Sequence, residues 1–391
     1  MYELLWLLLP AAAASGWFLA KQDVRRKGTN SATPPPSSAY YKGLNYLLNE
    51  QPDKAIEVFV RMLEVDGETV EIHLALGSLF RERGEVDRAI RIHQNIFERQ
   101  NLTPEQRAEA LFELGKDNLR AGLFDRAETL FCDLCDVKQY RRSALTLLLD
   151  IYQQEKEWGR AIDTARRLQK ESGKPQRTRI AHYYCELAEQ ALADGHAGHA
   201  LDYLDKALST DANCVRASLS QGRLMLAAEN ADPGRALQIF QGIEKQNPAY
   251  LSEAIPAIVD CYRRMGEEER LCRYLQGLFE RYGGVTTLVA LAESIQHIHG
   301  SAAALDCLRN HLRQQPSLRG LQHLLSLEQF DPAHNLGRTL SVAQNTLQRL
   351  FLEKAVYQCD QCGFMGKSLY WQCPGCKHWN SVRPIRGLEG E

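Results

Sequence analysis

Four cysteines close to the C-terminal end of the chain have the spacing of metal ligands. Cys359 and Cys362 form one CxxC pair, and Cys373 and Cys376 form a second pair after ten intervening residues. Each short turn aims two sulfurs at one point, so four thiolates can surround a single ion in a closed tetrahedral site. Zinc and iron both accept four sulfur ligands, and the spacing alone does not choose between them. The pattern predicts a small metal-binding domain over residues 357–391.

The residues around the two pairs support this prediction. Gly363 follows the first pair, where a residue without Cβ lets backbone N–H groups turn toward sulfur. Lys377 takes the corresponding place after the second pair, and we expect a less favourable turn there. A domain this small buries little apolar surface, so coordination should supply much of its stability. Five aromatic residues are available as its apolar cover: Tyr357, Phe364, Tyr370, Trp371 and Trp379.

The other candidates for chemistry fit structural roles better. Seven further cysteines are scattered through helical sequence, as small buried residues are in a reducing compartment. Cys132 and Cys135 form a third CxxC pair, but it lies within a helix and has no second pair nearby, which favours packing. His196 and His199 fall in a turn and are expected to be solvated. No phosphate-binding loop, HExxH motif or nucleophile elbow is present, so we do not expect an enzyme.

Length and charge narrow the class of protein. The chain has 391 residues, of which 44% are apolar, and this is enough for several domains or one long solenoid. Its formal net charge is only -2, which argues against electrostatic binding of nucleic acid.

A repeating unit of 34 residues accounts for most of the chain. In the frame that begins at Val70, Gly77 falls at position 8, Phe80 at 11 and Ala89 at 20, and seven further frames keep similar residues at these positions. This spacing is that of the tetratricopeptide repeat, a helix pair whose small residues allow close approach. No unit buries its apolar face alone, so the units must stack. The pattern predicts an all-α fold, a right-handed solenoid over residues 40–356 whose last helices are less regular.

The N-terminal segment has the composition of a membrane anchor. Leu4–Ala20 is almost entirely apolar, and a helix of that length spans roughly 26 Å, close to the thickness of a bilayer core. A cleaved signal peptide is the alternative, but its positive charge should precede the apolar run. Here the basic residues follow, which places the N-terminus outside and the rest of the chain in the cytoplasm. We therefore predict a transmembrane helix in residues 1–20 and a flexible tether over 21–39, with its basic residues at Lys21, Arg25, Arg26 and Lys27.

The combination of anchor, repeats and cysteine pairs resembles one known family along the whole chain. The most telling stretches are RGEVDRAIRIHQ at 83–94, AHYYCELA at 181–188, and CDQCGF, LYWQCPGC and PIRGL near the C-terminus. They are similar to the lipopolysaccharide assembly protein B family of Gram-negative bacteria. Repeats alone would say little about function, because the fold serves many purposes.

The resemblance implies a function and a set of partners. Members of the family are expected to be inner-membrane adaptors that restrain lipopolysaccharide synthesis. They promote degradation of the deacetylase that commits precursors to lipid A, by a membrane-bound ATP-dependent zinc protease, and work with other inner-membrane assembly proteins. In the family the terminal domain is rubredoxin-like, and its four cysteines, here Cys359, Cys362, Cys373 and Cys376, hold iron. Two other functions stay open, a general scaffold for envelope assembly and, with less support, an electron carrier.

A partner surface is expected on the inner face of the solenoid. In tetratricopeptide proteins the first helix of each unit lines this face through a fixed set of positions. Its four arginines and one lysine would attract an acidic segment of a partner. The residues at these positions are Arg81, Lys116, Arg120, Gln153, Gln154, Arg216 and Arg223.

Overall fold

The computed structural model describes residues 41–43, 45, 46, 49, 51–65, 70–228, 231–328, 335–388, 390 and 391. The predicted transmembrane helix, residues 1–20, and the predicted tether, residues 21–39, both lie outside this set. Among the described residues, no helix combines the length and apolar character needed to span a bilayer. The described chain is mostly helical, and three short strands follow its last helix.

The chain divides into two compact units, residues 1–144 and 145–391. The described part of the first unit contains five complete helices: α1 (Pro52–Val65), α2 (Val70–Glu82), α3 (Val86–Phe97), α4 (Pro104–Arg120) and α5 (Phe124–Leu134). Helix α6 (Lys138–Gln154) includes the point of division.

Helices α7 to α17 belong to the second unit. They are α7 (Trp158–Ser172), α8 (Arg177–Ala193), α9 (Ala197–Thr210), α10 (Val215–Ala227), α11 (Pro233–Gln246), α12 (Leu251–Met265), α13 (Glu268–Tyr282), α14 (Val285–His299), α15 (Ser301–Gln314), α16 (Leu318–Leu327) and α17 (Asn335–Glu353). A single 3₁₀ turn, Pro248–Tyr250, precedes α12.

The burial of one position in each repeat confirms the predicted register. Position 20 lies where the second helix of a unit meets the first, and only a small side chain leaves room for that approach. The alanines at this position are all 0% exposed: Ala55, Ala89, Ala127, Ala161, Ala200, Ala236 and Ala304.

Two glycines show how closely the paired helices approach. A Cβ placed on Gly115 would lie 2.6 Å from the Phe131 ring, and one on Gly222 would lie 2.5 Å from the Phe240 ring. Both rings are fully buried. In both pairs, a glycine of the first helix faces an aromatic ring of the second, and this contact sets how closely the two helices pack.

Local sequence also sets where helices begin. The Thr103 side chain accepts a hydrogen bond from the Gln106 backbone, Gln106 reciprocates, and Pro104 opens α4. This is a capping box, and it fixes the start of α4. In the turn before α11, the Asp232 side chain accepts a hydrogen bond from the Arg235 amide, and Pro233 is the first residue of the helix.

Residues 357–391, which we call the ribbon, contain a three-stranded antiparallel sheet in the order β2-β1-β3. Its strands are β1 (Tyr357–Cys359), β2 (Met365–Gly366) and β3 (Val382–Pro384). The ribbon belongs to the same compact unit as the repeats from residue 145 onward. Only some of the aromatic side chains expected to cover the ribbon do so. Phe364 and Tyr370 contact each other within the ribbon, whereas Trp371 packs against the helical core.

Candidate metal centre and its docking surface

The four predicted cysteines converge at one end of the ribbon. Their sulfur atoms all lie within 4.8 Å of one another. The Sγ atoms of Cys359 and Cys376 are 3.7 Å apart, and those of Cys362 and Cys373 are 3.6 Å apart. Four sulfurs about 2.3 Å from one metal ion in a tetrahedron would be separated by roughly 3.8 Å. The sulfur positions therefore fit a four-coordinate ion.

Both cysteine pairs adopt the same turn. The Gly363 amide donates to the Cys359 carbonyl at 2.9 Å, and the Lys377 amide donates to the Cys373 carbonyl at 2.9 Å. The φ angles of Gly363 and Lys377 are 74° and 58°, both in the left-handed region. Lys377 thus takes the conformation that a glycine adopts more easily, as its place in the sequence predicted.

Two polar groups of the ribbon contact the sulfur of Cys359. The Gln361 amide points toward Cys359 Sγ at 3.4 Å, and the Ser381 hydroxyl lies 3.4 Å from the same sulfur. Cys359 and Cys373 are buried, whereas Cys362 is exposed. With four protein ligands the site has no open coordination position, which is typical of a structural centre.

Among the described residues, the ribbon cysteines are the only cluster of three or more potential ligands of this kind. Cys185 and Cys214, scattered in the sequence, place their sulfurs 3.9 Å apart in the helical core. Cys135 is buried, as a packing role requires, and Cys132 is exposed. His196 and His199 are both exposed, as expected, and their ring centroids are 5.6 Å apart. His196 precedes α9, but His199 lies in the first turn of that helix and not in the inter-helix turn.

The ribbon docks on the helices through its two tryptophans. The Trp379 ring stacks on His182 at 5.0 Å and meets the edge of Tyr183 at 5.7 Å. Trp371 lies 5.9 Å from His182 and 5.5 Å from Tyr250, again between ring centroids. Burial and the positive charge of Arg216 lower the pKa of His182 to about 3, so this imidazole is neutral in the docked state.

Hydrogen bonds extend the contact on both sides of the tryptophans. Gln153 Oε1 accepts from Trp379 Nε1 at 3.1 Å and from the Gln372 side chain at 3.2 Å. The Tyr250 hydroxyl lies 3.0 Å from both Asn380 Oδ1 and the Val382 carbonyl. Burial raises the pKa of Tyr250 to about 12.

A second group of contacts fixes the two ends of the ribbon. Tyr357 donates to Glu253 at 2.6 Å. The Glu391 carboxylate accepts from the Thr286 amide at 3.2 Å and pairs with Arg319 at 3.3 Å. We use the name docking surface for five residues of the repeats that contact residues 357–382 of the ribbon: Gln153, His182, Tyr183, Tyr250 and Glu253.

In the first unit, two of the three predicted partner residues form ion pairs within the chain. Arg81 is only 12% exposed in its side chain and pairs with Glu113 at 2.6 Å and Asp117 at 2.7 Å. Lys116 binds the same Glu113 at 2.9 Å, while Arg120 is exposed. Arg81 therefore does not present the free charge that the groove prediction assumed, because two carboxylates of α4 neutralise it. A partner contact at these positions stays a prediction.

The partner residues predicted in the second unit divide in the same way. Arg216 is 5% exposed in its side chain and is held by Glu186 at 2.8 Å and Glu189 at 2.7 Å, so its charge is also neutralised. Gln153 is engaged by the ribbon, whereas Gln154 is exposed. Arg223 is exposed and lines an open cavity of about 460 Å³ between α10 and α12.

Sequence reasoning missed a buried polar pair in the first unit. His93 and Asp117 are both fully buried and hydrogen-bonded to each other, and the second ring nitrogen of His93 lies 3.2 Å from the Leu74 carbonyl. The signal was present in the repeat pattern, because His93 occupies position 24, where Phe59 and Phe131 stand in other frames. A histidine in that apolar position needs a buried acceptor, and Asp117 provides it.

Models of two known families match the ribbon and the first repeats. A rubredoxin metal binding domain model matches residues 357–384, and a tetratricopeptide repeat model matches residues 40–101. The crystal structure of MamA is similar over 44% of this chain and 94% of its own, with a TM-score of 0.33 and 21% identity. The C-terminal part of a TPR repeat-containing protein from Cytophaga hutchinsonii is similar over 69% of this chain and 99% of its own, with a TM-score of 0.37 and 14% identity.

Two curated relatives match along their full lengths. Lipopolysaccharide assembly protein B of Escherichia coli strain K12 is 39% identical over 391 residues, with 100% of both chains covered. The protein of the same name from Haemophilus influenzae is 33% identical over 398 residues, again with 100% of both covered. The chain is therefore a member of the lipopolysaccharide assembly protein B family.

Proposed function

We propose that this protein is an adaptor that restrains lipopolysaccharide synthesis at the inner membrane. It brings the deacetylase that commits precursors to lipid A to a membrane-bound ATP-dependent zinc protease, and it has no catalytic centre of its own. The observation that carries the proposal is the match to lipopolysaccharide assembly protein B over the whole chain. Tetratricopeptide repeats, which offer extended surfaces to protein partners, support an adaptor role.

Capture of partners from solubilised inner membrane tests this function. The tagged full chain should retain both the protease and the deacetylase, and depletion of the protein should lengthen the half-life of the deacetylase. A chain that captures other envelope assembly proteins but neither of these two would favour the general scaffold instead. An unchanged half-life after depletion would contradict the adaptor proposal.

We infer in addition that the protein is anchored once in the inner membrane, with its N-terminus in the periplasm. The apolar run Leu4–Ala20, with basic residues only on its C-terminal side, supports this topology. A reporter that fluoresces only in the cytoplasm, fused after Glu391, should be bright. A dark fusion, together with an active periplasmic reporter at the same position, would reverse the topology and remove access to a cytoplasmic deacetylase.

We propose iron as the ion of the ribbon. The four thiolates of Cys359, Cys362, Cys373 and Cys376 would hold it, and the bound ion would supply a fixed tetrahedral link between the two turns. The rubredoxin model that matches residues 357–384 supports iron, although zinc would satisfy the same geometry. Metal analysis and the visible spectrum of freshly purified protein decide between them. A colourless, zinc-loaded protein from cells supplied with both metals would contradict the iron assignment.

A further inference from the structure

The docking surface lies on the helix faces that tetratricopeptide proteins use for binding. Gln153 on α6 and His182 on α8 belong to the first helices of their repeats, whose inner faces form the extended groove of a solenoid. In this protein those faces carry the chain's own ribbon, through Trp379 and Trp371. The occupant of this part of the groove is therefore a segment of the same chain.

The docked state leaves several buried polar atoms without partners. Among the described residues, both ring nitrogens of His182 and the hydroxyl of Tyr183 are buried and make no hydrogen bond. Each such group loses its hydrogen bonds to water without gaining a partner in the protein, and this opposes docking. The stacking of Trp379 on His182 offsets part of this cost. The docked contact therefore buries a large aromatic area but also leaves buried polar groups without hydrogen bonds. A surface of this kind is suited to reversible docking.

The ribbon's docking residues depend on the cysteine turns for their positions. Trp371 stands two residues before Cys373, and Trp379 stands three residues after Cys376. The sheet of the ribbon has strands of only two or three residues, too short to fix these side chains without a further link. Four thiolates held by one ion would provide that link.

We propose that the four-cysteine centre works as a metal-dependent latch, which holds the ribbon over the docking surface when loaded and uncovers that surface when the ion is lost. This goes beyond an adaptor role, since it makes the groove of the second unit responsive to the supply of the ion. By thermodynamic reciprocity, docking must in turn stabilise the bound ion. The two directions of this coupling can be measured separately.

Removing the ion tests the first direction. The full chain is loaded with Zn²⁺ as the probe, and hydrogen exchange is followed before and after chelation. We expect exchange in segments 180–188 and 250–259 to accelerate at least tenfold, with a red shift of tryptophan emission, while α2 and α4 in the first unit keep their rates. Unchanged protection of both segments after the metal has been removed would overturn the proposal.

Weakening the docking surface tests the second direction without touching a ligand. Removing the Tyr250 hydroxyl and the Gln153 amide in a Tyr250→Phe, Gln153→Ala variant should release Zn²⁺ to a chelator about tenfold faster, equivalent to about 1.4 kcal/mol. Tyr262→Phe is the matched control, because its hydroxyl binds Gln241 and not the ribbon.

Folding of the variants is checked by helix content, and Gln153→Ala alone serves if the double variant is unstable. Gln153 is only partly buried, so its loss should leave the helices intact and still accelerate release. Release at the parent rate from a folded variant would show that the ribbon holds its ion independently, and this result would overturn the proposal.

Discussion

His182 is a neutral imidazole covered by two tryptophan rings, and this makes docking of the ribbon sensitive to pH. Its pKa is lowered to about 3 by burial and by the charge of Arg216, whereas an exposed histidine titrates near 6.5. Above pH 6.5 both the docked and the undocked forms are neutral, and docking is fully favoured. Below it only the undocked form takes up a proton, so docking weakens by up to about 1.4 kcal/mol per pH unit.

We therefore expect tryptophan emission and hydrogen exchange of α8 to report undocking as pH falls from 7.5 to 5.5. His182→Phe keeps an aromatic ring under Trp379 but removes the titrating group, and its profile should be flatter over this range. Arg216 is paired with Glu186 and Glu189, and these charges are present in both proteins. Parallel profiles for parent and variant would assign the pH dependence to the cysteines instead.

Lys377 gives a second prediction for a single residue. Its φ of 58° lies in the left-handed region, which costs an L-residue roughly 1–2 kcal/mol relative to glycine. Lys377→Gly should therefore slow the release of metal and raise the stability of the ribbon by about 1 kcal/mol. Lys377→Ala is the control, because it removes the charge and keeps the unfavourable conformation. A gain in the alanine variant as large as that in the glycine variant would attribute the effect to charge.

At the scale of paired helices, the small residues of the repeat set how closely they pack. A Cβ on Gly222 would meet the Phe240 ring at 2.5 Å, in a site where that ring is fully buried. Gly222→Ala should destabilise the second unit by about 1–3 kcal/mol. Gly242, in the partner helix α11, has nothing within 4 Å of its missing Cβ, and Gly242→Ala should stabilise by about 0.5–1 kcal/mol. Thermal unfolding of the two variants, with opposite shifts expected, checks the packing rule.

The helices illustrate what the sequence can and cannot predict. The repeat register follows from local spacing, which is why Ala89 and Ala127 proved to be buried as their positions required. The ionic partners of the groove residues were less accessible to prediction. Arg81 lies 36 residues from Asp117, and only the stacking of successive repeats brings the two together. A frame identifies the helix face on which a charge lies, but not the charge that faces it from the next repeat.

The same distinction applies more strongly to the ribbon. Four cysteines within eighteen residues specify their own convergence, so the metal centre could be predicted from spacing alone. The docking contacts join residues far apart in the chain: Gln153 to Trp379 spans 226 residues, and Tyr250 to Val382 spans 132. From the sequence we expect the aromatic side chains of the ribbon to cover the ribbon itself, because composition does not show which surface a tryptophan contacts. The docking surface therefore emerged only from the folded chain.

At the scale of the whole molecule, the division into two compact units predicts which part of the chain loses stability when the ribbon is deleted. A chain ending at Val356 lacks every ribbon contact of the second unit, including those that cover Tyr183 and Tyr250. Exposing these two rings and losing the contacts of two partly buried tryptophans should cost the second unit at least about 3 kcal/mol. The first unit, residues 1–144, has its own internal packing around residues such as Phe59 and Phe131 and should keep its stability.

Hydrogen exchange across the full chain and the truncated chain measures this division directly. Protection should fall in segments 180–188 and 250–259 and stay unchanged in 70–97 and 104–134. The variant Cys359→Ser, Cys376→Ser is the matched comparison, because it keeps the ribbon sequence and removes two ligands. If the ribbon acts through its docked form, both proteins should lose protection in the same segments. A loss of protection spread evenly over both units would mean that the ribbon supports the fold as a whole. Intact protection of α8 in the truncated chain would mean that the docking surface is stable without the ribbon.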